Sequence, residues 1–454
     1  MTRPLNRTTD GRPAAPTRLL HLGLGGFFRA HQAWYTEHAP DAAAWGITAF
    51  SGRSRELADR LAAQDNLYTL VTRTQNGDRH EVISALSAVH TATDHTAWLE
   101  HWRRPELAAV TLTVTEAAYT TLPEGGLDLA HKDVRTDIAT LATNPSAPAI
   151  TVAGRLLTGL AARHKAGYGP IAIVPCDNLP DNGRTTARAI RELAEATGTR
   201  TLRTAAEHAS YITTVVDRIT PSPTEQDAKT TTAATGRTDT APVITEPFTE
   251  WILSGEFPAG RPRWEEAGAR FTTDTGPYAQ RKLWLLNGGH SLLAYAGPLR
   301  GHTTVAEAVA DPVCRTWLQQ WWDEASRHLN SPQHETAAYR TSLLQRFANP
   351  GIRHTLAKIA QDGTQKLPVR LLPVLRAERE KGTLPPGATR ILASWLLHLR
   401  GHGAPVHDTA APPAAGPLRD AARTVLTALD PRLGEDTALT DAITARASEA
   451  ARTA

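Results

Sequence analysis

The chain has 454 residues, a formal net charge of +3 and 41% hydrophobic residues, enough for two or three domains with sizeable cores. The nearly balanced charge contains no Lys/Arg block of the kind that tracks nucleic acid, and no apolar run reaches the roughly 18 residues of a membrane helix. Its two cysteines, Cys176 and Cys314, lie far apart, with no Cys-x-x-Cys pair, which argues against a disulfide framework or a cysteine zinc site and for two buried thiols.

Residues 1–18 are polar and lack an apolar core of signal-peptide length, so the expectation is a cytoplasmic protein. Leu19–Leu22 is a short apolar run that ends on Gly23-Leu24-Gly25-Gly26, the pattern of a buried strand entering a turn. A helix is predicted over 29–38, a strand over 45–50 and a helix over 56–64. Further strands are predicted at 68–73, 82–85, 109–114 and 170–175, and helices at 95–103, 149–166 and 184–197. Strands alternating with helices imply a mostly parallel sheet covered on both faces. Residues 220–240 turn polar and read as a surface loop or a short helix. From Tyr278 onward apolar residues recur at helical spacing, through 284–295, 305–310, 317–322, 339–347 and 389–399. Strand alternation fades there, which predicts a helical second domain. Residues 402–417 read as a connector before a last helix.

Gly23-x-Gly25 sits directly after a strand and before a helix, the context in which a dinucleotide fingerprint carries meaning. Gly23 would make the tight turn and Gly25 would let the backbone approach a pyrophosphate at the helix N-terminus. Gly26 and Phe27 join them as candidate cofactor contacts. Phe28 stands where the third glycine of G-x-G-x-x-G is expected, so a plain glycine turn fits the same residues. The second strand ends on Ser51-Gly52-Arg53-Ser54-Arg55, with no Asp or Glu for a ribose hydroxyl. Arg53 and Arg55 either accept a 2′-phosphate, which keeps NADP beside NAD, or are surface arginines.

The stretch Tyr278 to His290 is the most informative. On a helix Lys282, Asn287 and His290 are expected near one face, with Leu283, Trp284, Leu285 and Leu286 packing around them. A lysine in such surroundings loses solvation and its pKa falls, which suits it to take a proton from an alcohol as hydride leaves. Asn287 then holds the developing alkoxide and His290 fixes a substrate hydroxyl. A helix with a snorkelling lysine, a capping asparagine and a core histidine explains the same residues. Asn178, in Pro175-Cys176-Asp177-Asn178, follows an apolar strand, beyond whose carboxyl end a doubly wound sheet binds ligands; an Asp-Asn turn is the structural alternative. Asp217-Arg218 is an ion pair that organises a cleft or simply a strand end. Lys366 and Arg370 grip a hydroxyl or a carboxylate, or belong to a solvated helix face. No metal ligand is assigned.

Taken together these stretches resemble the long-chain mannitol dehydrogenase family, which includes mannitol 2-dehydrogenase, fructuronate reductase and tagaturonate reductase. The resemblance runs from about residue 19 to about 375, through Gly23–His31, Gln64–Thr69, Leu112–Glu116, Cys176–Asn178 with Asn182-Gly183, Val216–Pro221, Glu246–Phe248 with Trp251, Gly260–Pro262 and Lys282–His290. It implies an α/β protein: an N-terminal Rossmann-type dinucleotide-binding domain, residues 1–276, then a mainly α-helical C-terminal domain, residues 277–454, with catalysis in the cleft between. It also implies Lys282 as general base, Asn178 and Asn287 as oxyanion donors, His290 as a substrate ligand, Asp217 as an active-site aspartate, no zinc, and monomers. The expected activity is NAD(P)-dependent interconversion of a polyol or aldonate with a ketose or keto-uronate.

Four departures stand out: Ala279 for a family glutamate, Ala117-Ala118 for Lys-Gly, Trp284 for an arginine, and Tyr211-Ile212 for an aromatic-Pro pair. The stretches Arg346–Pro350 and Asp362–Pro368 look more like fructuronate reductases, with Lys366 or Arg370 as the cationic partner of a uronate. Two other readings stay open. Tyr278-x-x-x-Lys282 fits the spacing of short-chain dehydrogenases, with Tyr278 as base, although its place at the start of a helical domain argues against this. A non-catalytic nucleotide- or sugar-sensing protein is the other.

Overall fold

Along the strands of the N-terminal half, alternate side chains enter two different cores, one on each face of a single sheet. The computed structural model describes residues 2–52, 54–122 and 125–453; the candidate cofactor residue Arg53 lies outside them. The chain divides into two compact units, Met1–Thr275 and Gly276–Ala454.

The main sheet of the first unit has six strands: β1 (Thr17–Leu22), β2 (Gly46–Phe50), β3 (Leu86–His90), β4 (Ala109–Leu112), β5 (Ile171–Pro175) and β6 (Ala209–Tyr211). All pairings are parallel and the spatial order is 3-2-1-4-5-6. Leu19, Ile47, Ala49, Ala172 and Val174 enter one core. Leu20, Leu22, Val110, Leu112, Ile171 and Ile173 enter the other. Burial on both faces is why these strands read as continuous apolar runs. The order reverses direction between β1 and β4, the switch point at which doubly wound sheets bind ligands.

Several elements differ from the sequence reading. The strand expected at 68–73 forms, as Tyr68–Thr74, but outside the parallel sheet: it makes an antiparallel hairpin with Gly77–Ile83 and a parallel pair with Val243–Thr245. The strand expected at 82–85 is instead the end of that hairpin, and the chain re-enters the main sheet only at Leu86. The helix expected over 29–38 is two, α1 (Gly26–Ala30) and α2 (Gln32–His38), broken at His31, with φ −120° and ψ −85°. The His31 ring at that break is buried, its Nε2 lying 2.9 Å from the Glu250 carbonyl. Within 220–240 the polar chain does form a helix, Glu225–Thr235, because Thr224 and Asp227 make a reciprocal capping box. A further small sheet joins Thr213–Asp217, Glu250–Ser254 and Arg270–Phe271.

The second unit is helical. It contains α3 (Gly276–Arg281), a π-helical turn (Lys282–Asn287), α4 (Gly288–Ala296), α5 (Pro312–Ser326), α6 (Gln333–Phe347), α7 (Leu356–Ile359), α8 (Gly363–Arg370) and α9 (Pro386–Leu399). α4 is buried along its whole length and packs against α5 and α9. After residues 402–417, which have no regular structure, three helices rather than one follow, at Leu418–Leu429, Pro431–Gly434 and Thr437–Thr453. Both cysteines are buried and reduced. Among the described residues no helix is long and apolar enough to cross a membrane.

Candidate active site

At the carboxyl end of β1 the backbone turns sharply. Gly23 has φ +107°, and a Cβ there would lie 2.0 Å from the Thr113 carbonyl oxygen just beyond β4. Only glycine fits, because the left-handed backbone and the close neighbouring strand both exclude a side chain. The Gly23 and Leu24 N–H groups donate to the Phe50 carbonyl at 3.0 and 3.1 Å. Gly25 and Gly26 are under no such compulsion. A Cβ at either would meet nothing closer than 3.6 Å, so the space over this backbone is open. Phe27 is half-buried, its ring 5.0 Å from that of His31.

Phe28, in place of the third glycine, is buried and stacks on His21 with ring centroids 3.5 Å apart. A ring pair thus fills the helix–strand contact that glycine otherwise makes by close approach. His21 has partners at both nitrogens: Nδ1 lies 2.8 Å from Thr111 Oγ1, and Nε2 lies 3.2 Å from the Gly23 carbonyl and 3.1 Å from Thr113 Oγ1. Burial pushes its pKa down to about 3, so it is neutral and braces the turn. Near the end of β2, Arg55 is exposed and pairs with Asp59 at 2.9 Å.

At the carboxyl end of β5, Cys176 and Asp177 are buried and Asn178 is exposed. Asp177 is no surface turn. Its Oδ1 accepts the Val114 N–H at 2.5 Å and its Oδ2 accepts the Tyr119 hydroxyl. Burial pushes this carboxyl up to about 7, against the pull of those two donors. Asn182, fully buried, stitches the same loop to the next strand. Its Oδ1 accepts the Thr214 N–H at 2.9 Å, while its Nδ2 donates to the Thr214 carbonyl at 3.1 Å and to the Asp177 carbonyl at 3.2 Å. Asp217, buried, is the last residue of that strand, Thr213–Asp217. Arg218 beside it directs its guanidinium to the Ala30 and Glu246 carbonyls and lies 4.9 Å from the Trp34 ring. The sequence reading missed Asp177, Tyr119 and Asn182 as supports. The Asn182-Gly183 pair was their visible trace, since a Cβ at Gly183 would lie 2.6 Å from the Ile212 carbonyl.

In the second unit Lys282 begins the π turn and Asn287 ends it, both half-buried. The Gly288 N–H reaches back to the Leu283 carbonyl five residues earlier. In an α-helix, five residues would leave Lys282 and Asn287 about 140° apart; the wider turn brings the fifth residue back into line. The shared face expected from an α-helical reading therefore rests here on the π turn instead. Trp284, Leu285 and Leu286 are buried beneath it.

His290 follows on α4, buried, its ring stacked on Phe347 at 4.5 Å and edge-on to His354 at 5.0 Å. Burial first, then His354, Arg346 and Arg370, holds its pKa well below the usual histidine range. Its Nε2 is buried and, among the described residues, has no hydrogen-bond partner. Arg370 donates to Ser291 Oγ at 3.2 Å. Lys366 donates to the Gln361 carbonyl at 2.5 Å and to the Ile359 carbonyl at 3.4 Å, which ties it to the end of α7. Arg346 is buried within the field of His290 and was not singled out as a ligand from the sequence. Elsewhere in this unit His302, Asp311 and Cys314 place ligand atoms within 4.8 Å of one another. The Asp311 carboxylate there already holds Arg300 at 2.5 Å and His302 at 3.0 Å.

A six-stranded parallel sheet in doubly wound order, with a glycine turn at its reversal and a helical unit after it, defines a Rossmann-type oxidoreductase with an appended helical domain. The mannitol dehydrogenase Rossmann domain matches residues 17–266 and the mannitol dehydrogenase C-terminal domain matches residues 274–432, so the chain belongs to the mannitol dehydrogenase family. It is 34% identical to the D-mannonate oxidoreductase of Escherichia coli (strain K12), covering 88% of this chain and 83% of that one. It is 33% identical to the mannitol 2-dehydrogenase of Cereibacter sphaeroides, covering 88% and 84%. The Pseudomonas fluorescens mannitol 2-dehydrogenase, solved as a ternary complex with NAD and D-mannitol, has a TM-score of 0.81 at 28% identity, covering 97% of this chain and 94% of that one.

Proposed function

We propose that the protein is an NAD(P)-dependent, metal-independent oxidoreductase that interconverts a polyol or aldonate with the corresponding ketose or keto-uronate, with Lys282 as acid/base. The observation that carries the reading is the buried imidazole of His290. Among the described residues its Nε2 lacks a hydrogen-bond partner, it stands in the field of two arginines, and it follows closely on the turn that carries Lys282 and Asn287. A buried polar atom without a partner costs roughly 1–3 kcal/mol, and a ligand hydroxyl relieves that cost.

The glycine turn suits a dinucleotide. Gly23 is fixed by sterics, while the open backbone of Gly25 and Gly26, beside Phe27, leaves room for a pyrophosphate at the sheet's switch point. The bound nicotinamide supplies a hydride acceptor or donor. In the oxidation direction Lys282 Nζ, as a neutral amine, takes the hydroxyl proton while the C–H bond gives up its electron pair as hydride. Asn178 and Asn287 donate amide N–H groups to the developing oxyanion, and the reading requires both to act on one oxygen. His290 binds a neighbouring hydroxyl, and Asp217 accepts from another. With Ala279 in place of a carboxylate, the proton on Lys282 leaves by another route.

Arg346 and Arg370 favour a substrate that carries a carboxylate, as the similarity to a D-mannonate oxidoreductase also does. Lys366 is placed in a supporting role. NAD is proposed as the cofactor because Arg55 is already paired with Asp59; NADP is the alternative. The enzyme is proposed to act as a monomer.

The test is oxidation of NADH and of NADPH with fructose, fructuronate and tagaturonate. Turnover is expected, with the highest kcat/KM for a keto-uronate and NADH. Dinucleotide binding without turnover of any of the three would overturn the reading in favour of a sensor.

A further inference from the structure

The turn that carries Lys282 and Asn287 is braced from behind by two side chains that no step of the reaction uses. Trp321 and Trp322 are consecutive on α5 and both fully buried. Trp321 Nε1–H donates to the Trp284 carbonyl at 2.8 Å, and Trp322 Nε1–H donates to the Leu285 carbonyl at 2.8 Å. Both carbonyls lie in the middle of the π turn. A π turn is rare because it gives up the i→i+4 register that an α-helix of the same residues would keep. It persists where the displaced backbone groups find partners from elsewhere.

Two glycines let the indoles in. A Cβ at Gly288 would lie 2.8 Å from Trp321 Nε1, and a Cβ at Gly289 would lie 2.9 Å from Leu318 Cδ1 and 3.1 Å from Trp322 Nε1. The Gly288-Gly289 pair is thus explained by the approach of α5 rather than by a turn. Trp322 also touches Phe347, on which His290 stacks, with ring centroids 6.2 Å and 4.5 Å apart respectively.

We propose that Trp321 and Trp322 are positioning residues: their indole N–H groups hold the π turn open, and so keep Lys282 and Asn287 on one face. The inference rests on the assignment of Lys282 as acid/base. It adds that the alignment is imposed by α5, and that a turn relaxed to α geometry would swing Asn287 away from Lys282.

The experiment replaces each tryptophan separately by phenylalanine and, to keep the bicyclic shape while removing only the donor, by benzothienylalanine. In each variant that folds cooperatively, dinucleotide affinity should be unchanged. kcat should fall by about tenfold to a hundredfold, as for a small misplacement of a catalytic group. The pH dependence of kcat, and of Lys282 acylation followed by mass spectrometry, should shift with it. Trp321→Phe and Trp322→Phe test the same point should an unnatural residue fail to incorporate. The benzothienylalanine variants do so should phenylalanine leave a cavity that unfolds the chain. Wild-type kcat and an unmoved labelling profile in the donor-less variants would overturn the inference. Lys282→Ala is the control: full activity there removes the lysine assignment itself, whereas its inactivity beside wild-type tryptophan variants removes only the positioning role.

Discussion

Two buried histidines differ in how far the fold satisfies them. His21, under the glycine turn of the first unit, has partners at both nitrogens and a ring stacked on Phe28. His290, in the second unit, is also buried, with its pKa held well below the usual histidine range by burial, and is stacked on Phe347, yet among the described residues its Nε2 has no hydrogen-bond partner. Burial and a depressed pKa are common to both, so neither marks function. The difference is an unmet polar atom, which His101 Nδ1 and His354 Nδ1 share, and which at His290 is joined by the nearby charges of Arg346 and Arg370. The same contrast separates Gly23, compelled by a neighbouring carbonyl, from Gly25, which faces open space.

The comparison breaks most easily at the amine. Lys282→Ala should lower kcat by about 10²–10⁴-fold, the usual range for a general acid/base, with dinucleotide affinity intact in a fluorescence titration. Tyr278→Phe should have only a modest effect; abolished turnover there would transfer the base to the tyrosine hydroxyl. Asn178→Ala and Asn287→Ala should each lose about 10²–10³ in kcat, and the double variant should lose less than the product if both act on one oxygen. Steady-state kinetics of the three variants measures this coupling, and full additivity would separate their roles.

The histidines themselves sharpen the contrast. His290→Phe should raise KM by about tenfold with little change in melting temperature, because it removes a polar atom with no partner. His21→Phe should lower the melting temperature and leave substrate KM alone, because Thr111 and Thr113 lose a partner. Opposite outcomes would reverse the division drawn here.

The smallest effect is on stability against pH. Folded His21 stays neutral to about 3, and His101 and His354 to about 4, while an unfolded histidine protonates near 6.5. Between those values unfolding takes up protons, so stability from these groups is present above 6.5 and is lost as pH falls. Asp177 acts in the opposite sense. Its folded pKa of about 7 exceeds the ordinary 3.8, so its contribution is favourable at low pH and is lost as pH rises through that window. Denaturant titrations across this range should show a net decline toward acid, which His21→Phe makes shallower.

Much of this was legible in the residues. The apolar run into Gly23 announced the strand and turn, and Lys282, Asn287 and His290 could be proposed because the chemistry they offer is carried by residue type. What escaped was set by long-range contacts. The hairpin at 68–83 and the late return of Leu86–His90 to the sheet depend on pairing partners, which local apolar content does not encode. The break at His31 accompanies a long-range contact to the Glu250 carbonyl. The π turn is invisible to periodicity, because Leu283 to Leu286 read as helix in either register. Arg346 is one residue before Phe347, and its place near His290 appears only in the fold, where Phe347 stacks on that imidazole.

The most direct test of the central claim is chemical rescue of Lys282→Ala by small primary amines, followed as NADH oxidation with the best keto-uronate. The expected result is a nearly inactive variant whose rate rises with amine concentration and with amine basicity. An unimpaired variant, or an impaired one indifferent to every amine small enough to enter, would contradict it.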